Sequence, residues 1–449
     1  MNHLRLQRNR ELLASKIVIG IDPAKDKHQA AVVDAQGNQR GASFSFPVSA
    51  AGYSETLWRN IAKVLPTCNA PDVVFAIETA CNLWDTLAFF LFSRGYTVVL
   101  VSPLSTHHAR PIMSMEFSRT DPKDAFLVAT VAQRGAFQLY ERFPAEQSAM
   151  HQLAITYDKL RKDLAQNRAR VHAVLDRVFP EFPRILLPQR NSAVYLLTKY
   201  LFPDEFLAMD IHSEAQVISQ ISRRQCGRST LEALQKAATT SIGLVRRSDE
   251  RLADRLSLDA FLALIERAEL QINRVLEELV LRAQELPQFE RLTSLSGVGK
   301  RLAALFLAEV QDLSRFTHYK HIEKLAGLNL RLFDSGRYSG TRHISSIGNS
   351  RLRWILYKMA EETARRVPEV RVKYLRRQLK RRKHVKNVIA SIPQLLQLIM
   401  AMEKHQRCYQ VQPEIMKELN ELEVRYEALK VARTPAPQNS PRRAGKTAA

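Results

Sequence analysis

Long apolar runs are missing from this chain. No stretch reaches the roughly 18 apolar residues that a membrane-spanning helix needs. The first residues, MNHLRLQRNRELLASK, are basic but lack the apolar core of a secretory signal. The expected location is therefore the cytoplasm, beside the nucleoid. Cysteine is scarce as well: Cys68, Cys81, Cys226 and Cys408 are scattered, with no CxxC pair and no histidine at zinc spacing. That excludes a disulfide scaffold or a zinc finger and leaves ordinary reduced residues. Acids are few against bases, 45 to 67, giving a net charge of +22 and a pI near 10.0. Such an excess favours a polyanionic partner through counterion release. Nucleic acid is the expected one, because a membrane surface finds no apolar anchor here.

The chain has 449 residues, 45% of them hydrophobic, enough for two or three separate cores. From Lys16, KIVIGID, HQAAVVD and GASFSFP read as three strands, followed by helical periodicity over residues 49–65. VVFAIET is a fourth strand, NLWDTLAFFLFSR a helix, YTVVLVSP a fifth strand and DPKDAFLVATVA a closing helix. This βββαβαβα order predicts an α/β domain over residues 16–140 with a ribonuclease-H-like layout.

Residues 145–290 change character. Met150, Leu153, Tyr157, Leu160, Leu164, Val171, Val174 and Val178 recur at spacings of three and four, broken at Asn167. Leu258, Phe261, Ile265, Ala268, Ile272, Val275 and Leu279 repeat the pattern. Two long helices follow, paired either within one chain or between protomers as a coiled coil. Residues 180–250 between them read as a small helical insertion. Shorter helices fill a mainly α domain over residues 291–402, a further helix spans 403–433, and 434–449 is a disordered tail.

Asp22 ends the first strand and Glu78 the fourth, where parallel neighbours place side chains together. Asp121 and Asp124 lie on one face of the closing helix, either as further members of the cluster or as N-cap and capping-box acids beside Pro122. Four such carboxylates could hold two magnesium ions, which suit phosphodiester chemistry. Asp26 lies in the polar AKDK turn and is not included.

In the distal domain, Gly297, Gly299 and Lys300 sit between two helical segments, as a plain turn or as a helix-hairpin-helix whose backbone N–H groups meet phosphate. Ser335 and Ser339 occupy a glycine-flanked loop among basic residues, Arg337 in the loop and Arg351 and Arg353 beyond it. Residues 371–386 hold nine lysines or arginines in sixteen, including Arg376, Arg377, Lys380, Arg381, Arg382 and Lys383, a density suited to nucleic acid.

GIDPAKDKH, AIETACNLW, VSP and SRTDPKDA, followed downstream by SLSGVGKRLAALFLAEVQDLSRF, AGLN, DSG and ISSIGNSRLR, resemble the transposases of insertion sequence family 110 and related site-specific DNA invertases. The resemblance covers roughly residues 16–140 and 290–362. It implies a RuvC-like first domain whose metal-binding acids are Asp22, Glu78, Asp121 and Asp124. It also implies a distal serine, Ser335 by motif position, that attacks DNA to form a phosphoserine link, the two domains completing one active site between protomers of a dimer or tetramer. Some members use a structured RNA that pairs with donor and target DNA. Here Ser346 and Ile347 replace a basic pair common in the family, and the middle is long for it. The competing functions are a metal-dependent resolvase-like nuclease, which would tolerate loss of Ser335, and a non-catalytic nucleic-acid-binding protein.

Overall fold

The computed structural model describes residues 2–66, 70–113, 121–331, 334–335, 338–339, 343–380 and 382–431, with only the backbone at 2–4, 70, 112–113, 121, 331, 334–335, 338–339 and 431. Two compact units divide the chain, Met1–Phe143 and Pro144–Ala449.

The first unit opens with helix α1 (Asn2–Leu13), then β1 (Ile17–Asp22), β2 (Lys27–Val33) and β3 (Gln39–Pro47). A π turn (Gly52–Thr56) leads into α2 (Leu57–Val64), then β4 (Val73–Glu78), α3 (Trp84–Ser93), β5 (Thr97–Val101), α4 (Pro103–Met113), α5 (Asp121–Gln133) and β6 (Gln138–Leu139). One sheet results, in the order β3-β2-β1-β4-β5-β6. The β1, β4 and β5 strands are parallel, and β2, β3 and β6 run antiparallel to their neighbours.

Strand alternation divides the residues between two faces. Ile19, Ile21, Ala30, Val32, Phe75 and Ile77 pack under α2 and α3. Val18, Val33, Val74, Ala76, Val99 and Val101 meet Leu127, Val128, Val131 and Ala132 of α5. Both faces are covered, which is why the parallel strands read as nearly unbroken apolar runs.

Besides α4, two elements of this unit had no expectation from the sequence. The first is α1, polar in sequence, held because Arg5 donates to Phe137 O (2.9 Å), Asn9 to Gly135 O (2.8 Å) and Arg10 to Arg134 O (3.0 Å). The second is β6, two residues long and too short to carry a pattern.

The second unit begins with α6 (Ala145–Val178) and includes its antiparallel partner α12 (Ser248–Gln284). Arg177 meets Asp254 at 2.9 Å near one end of the pair, and Arg168 meets Glu269 at 2.7 Å further along. The long helices therefore pair within one chain. Two polar residues, Asp158 and Asn167, are buried on α6. Asp158 is held by Arg161 (3.1 Å) and Lys162 (2.7 Å), while Asn167 accepts from Arg170 at 2.8 Å.

Between the long helices lie α7 (Phe182–Ile185), α8 (Asn191–Lys199), α9 (Pro203–Leu207), α10 (Ile211–Ile221) and α11 (Arg228–Thr239). They close a core of their own around Phe179, Phe182, Leu196 and Phe206.

Beyond α12 come α13 (Pro287–Thr293), α14 (Lys300–Val310) and α15 (Tyr319–Leu325). Four two-residue strands follow: β7 (Leu330–Arg331), β8 (Asp334–Ser335), β9 (Tyr338–Ser339) and β10 (His343–Ile344). The described residues close with α16 (Ser350–Arg366), α17 (Pro368–Leu379), α18 (His384–His405) and α19 (Pro413–Val431). Met150 and Ala154 of α6 and Leu279 of α12 share one core with Phe306, Leu356 and Leu395.

By length and average hydropathy α18 could cross a membrane. Its apolar residues Val388, Ile392, Leu395, Leu396 and Ile399 instead fill this core. The expected tail, 434–449, lies outside the described residues.

Candidate active site

The carboxylate site follows from register. In the parallel ladder Ile21 pairs with Ile77, so Asp22 and Glu78 are the next neighbours at the carboxyl ends of β1 and β4. Alternation puts Asp22 on the same face as Val18 and Gly20, and Glu78 with Val74 and Ala76, which is the face covered by α5. A Cβ at position 20 would lie 2.2 Å from Ala125 O and 2.6 Å from Ala129 N. Only glycine allows α5 to approach β1 this closely, and the first turn of α5 carries Asp121 and Asp124.

Helix α4 supplies the surroundings. Thr106, nearly fully buried, donates its hydroxyl to Glu78 Oε1 at 2.5 Å. One turn later, Arg110 Nη2 lies 2.9 Å from Asp124 Oδ1. The donor set is carboxylate oxygen throughout, the chemistry that magnesium takes. Among the described residues, no three His, Cys, Asp or Glu side chains gather closely enough to hold a metal ion. The side chain of Asp121 is outside the description, and Asp124 already faces a guanidinium.

Sequence reading missed His28. It is fully buried, accepts from Ala24 N–H through Nδ1 at 3.2 Å, and therefore donates through Nε2 to Tyr53 OH at 2.7 Å. Burial pushes its pKa down to about 4, so the ring is neutral near pH 7. It anchors the turn that follows Asp22 and leaves Lys25, Asp26 and Lys27 exposed. The available signal was its parity: in β2 it falls on the same face as the core residue Ala30.

In the distal unit, Gly297 has φ +101° and lies close against Glu362, so the turn before α14 requires glycine. Gly299 is the N-cap of α14 with no side-chain cap, and both it and Lys300 are exposed. Ser335 pairs with Tyr338, and Asp334 with Ser339, in the β8–β9 hairpin. The side chains of Ser335 and Ser339, and the whole of Arg337, lie outside the described residues.

The turns beside β7 and β10, which flank this hairpin in the chain, are well fixed. Ser345 donates through N–H to Asn329 O (2.8 Å) and through its hydroxyl to Asn329 Oδ1 (2.8 Å), and Ser346 N–H donates to Gly327 O (3.0 Å). Arg353 Nη1 donates to Ala326 O at 2.9 Å, bracing the AGLN turn. Arg351 forms a two-point pair with Glu309 (2.5 and 3.1 Å), whose carboxylate is fully buried and also accepts from Asn349 at 2.5 Å. Both arginines, expected to contact nucleic acid, have guanidinium contacts inside the unit. Arg376, itself exposed, pairs with Glu418 of α19 at 2.6 Å, and Arg377 is half-buried. Lys380, Arg382 and Lys383 remain exposed, together with Lys373 and Lys386, whereas Arg381 is outside the description. Ser346 and Ile347 are exposed, Ser346 in the left-handed region at φ +55°.

Comparison with known proteins matches a DEDD transposase family model, described as "Transposase", to residues 19–180. A second, "Transposase IS116/IS110/IS902 family", matches residues 289–375. An IS116 insertion-element protein of 44.8 kDa from Streptomyces clavuligerus is 24% identical over 409 residues, covering 89% of this chain and 98% of that protein. An IS110 insertion-element protein of 43.6 kDa from Streptomyces coelicolor is 24% identical over 323 residues, 64% of this chain and 70% of that protein. Two domain matches in the same chain and two insertion-element relatives together place the protein in the IS110/IS116 family of transposases.

Proposed function

We propose that the protein excises and inserts its element by serine-mediated strand exchange assisted by a carboxylate-held divalent cation. The observation that carries the reading is the adjacency of Asp22 and Glu78 on the face that Gly20 leaves open for α5. The β3-β2-β1-β4-β5 order supports a ribonuclease-H-like, RuvC-like assignment for this unit. Asp22, Glu78, Asp121 and Asp124 would hold the cation, two magnesium ions by the family resemblance, and the bound cation would supply charge stabilisation to a DNA phosphate.

Ser335, on the β8–β9 hairpin, attacks the phosphorus. A Ser Oγ–P bond forms, the bond to the 3′ oxygen breaks, and the released strand leaves as a 3′-hydroxyl. The DNA remains on the protein as a 5′-phosphoserine, so resealing needs no nucleotide cofactor. The exposed amino end of α14 with Gly297, Gly299 and Lys300, and the cluster Lys380, Arg382 and Lys383, fit phosphate binding. Surplus basic surface supports a structured guide RNA as a second partner, and strand exchange between two ends needs at least a homodimer.

Incubation of the protein with its element ends, magnesium and co-purified RNA should give a covalent protein–DNA adduct. Mass spectrometry should map it to Ser335, and Ser335→Ala should lose it. Cleaved DNA without an adduct would instead identify a metal-dependent nuclease, and absence of any cleavage a binding protein.

A further inference from the structure

Helix α4 touches two of the candidate carboxylates from one of its faces. Thr106 and Arg110 are four residues apart, so they lie one above the other. The first donates to Glu78 and the second pairs with Asp124. The hydroxyl is neutral and compatible with a cation beside Glu78. The guanidinium is not, because it already neutralises the carboxylate that a cation would need.

The pair is looser than the two-point arginine–carboxylate grips elsewhere in the protein. Arg351 grips Glu309 at two points, and that carboxylate is fully buried and also accepts from Asn349. Arg371 likewise meets Glu423 with two nitrogens, at 2.7 and 3.1 Å. Arg110 reaches Asp124 through Nη2 alone, and both side chains keep about a fifth to a quarter of their surface exposed, 24% for Arg110 and 20% for Asp124. Among the described residues its buried Nη1 has no hydrogen-bond partner. A two-point grip is the stronger and more specific arrangement, and a buried unpartnered donor is a cost. The Arg110 contact is thus the weaker one, suited to being exchanged.

We propose that Arg110 is an internal counter-ion of the carboxylate site, a positioning residue that holds Asp124 while the site is empty and is exchanged for the divalent cation on loading. This rests on the carboxylate reading above. Cation binding must then break the Arg110–Asp124 contact, so this arginine weakens affinity and keeps the Asp124 charge neutralised when no cation is bound.

The test is manganese binding to the full-length protein without DNA, by calorimetry or paramagnetic resonance, for wild type, Arg110→Met, Arg110→Gln, Arg110→Lys and Asp22→Asn. Methionine keeps the apolar stem that packs along α4, and melting temperatures in chelator verify folding. Arg110→Met and Arg110→Gln should bind manganese about tenfold more tightly, a change of ~1.4 kcal/mol, while Arg110→Lys stays near wild type. In an Asp124→Asn background the gain should vanish. A folded Arg110→Met with unchanged or weaker affinity would overturn the inference and leave the carboxylate site standing. Manganese binding absent from wild type, or equal in wild type and Asp22→Asn, would overturn the site itself.

Discussion

An alanine at position 20 would put its methyl carbon 2.2 Å from Ala125 O and 2.6 Å from Ala129 N, both backbone atoms of α5 that no rotamer change can move. Restoring an ordinary 3.4 Å contact requires α5 to lift by about 1.2 Å along that line. Overpacking of this kind costs about 1–3 kcal/mol. For a unit of this size that is roughly a 4–12 °C drop in melting temperature. The lift also carries the first turn of α5, with Asp124, away from Asp22 and Glu78. A misplacement of about 1 Å in reacting groups can cost on the order of 100-fold in rate. Gly20→Ala should therefore lose most excision at a temperature where circular dichroism still reports folded protein, and its manganese affinity should fall. A Gly20→Ala protein that melts within about 1 °C of wild type and excises normally would refute the claim that this glycine sets the height of α5 over the carboxylates.

Two further outcomes follow from particular side chains. His28 has its pKa lowered to about 4 by burial, against about 6.5 when unfolded. Its contribution to stability is thus complete above about pH 6.5 and is lost as the pH falls toward 4, with a slope of at most about 1.4 kcal/mol per pH unit. Urea melts across that range should show the loss, and His28→Gln should flatten it. In the basic cluster, Lys380→Ala, Arg382→Ala and Lys383→Ala should each reduce the salt dependence of DNA binding by about one unit of slope. Arg376→Ala should reduce the slope by less, because that exposed guanidinium is shared with Glu418.

The contrast between Lys383 and Arg376 marks where sequence stops informing. Strand alternation has period two, so one pass along KIVIGID and VVFAIET already assigns Asp22 and Glu78 to the ends of neighbouring strands. The spacing DPKDA likewise sets Asp121 and Asp124 on one turn. Local periodicity carries that much because a half-turn error would expose a whole face. A guanidinium carries no such constraint: its long stem reaches in several directions, and its partner is chosen by tertiary packing. The sequence RLR after ISSIGNS reads as phosphate-binding, yet Arg351 turns to a glutamate forty-two residues upstream and Arg353 to a carbonyl of the AGLN turn. The same limit explains α1, a polar helix held by side-chain bonds to the far end of its unit. It also explains the long helices, where Asp158 takes a buried position that the apolar spacing would give to Tyr157 or Leu160. Arg110 is the instructive case, because nothing in STHHARPIM distinguishes it from a solvated arginine. Its contact with Asp124 arises only because Gly20 draws α5 onto the sheet beside α4, so its effect on cation affinity should disappear in the Gly20→Ala background. If Arg110→Met tightened manganese binding equally in both backgrounds, the arginine would be acting through the general field of the unit and not through Asp124.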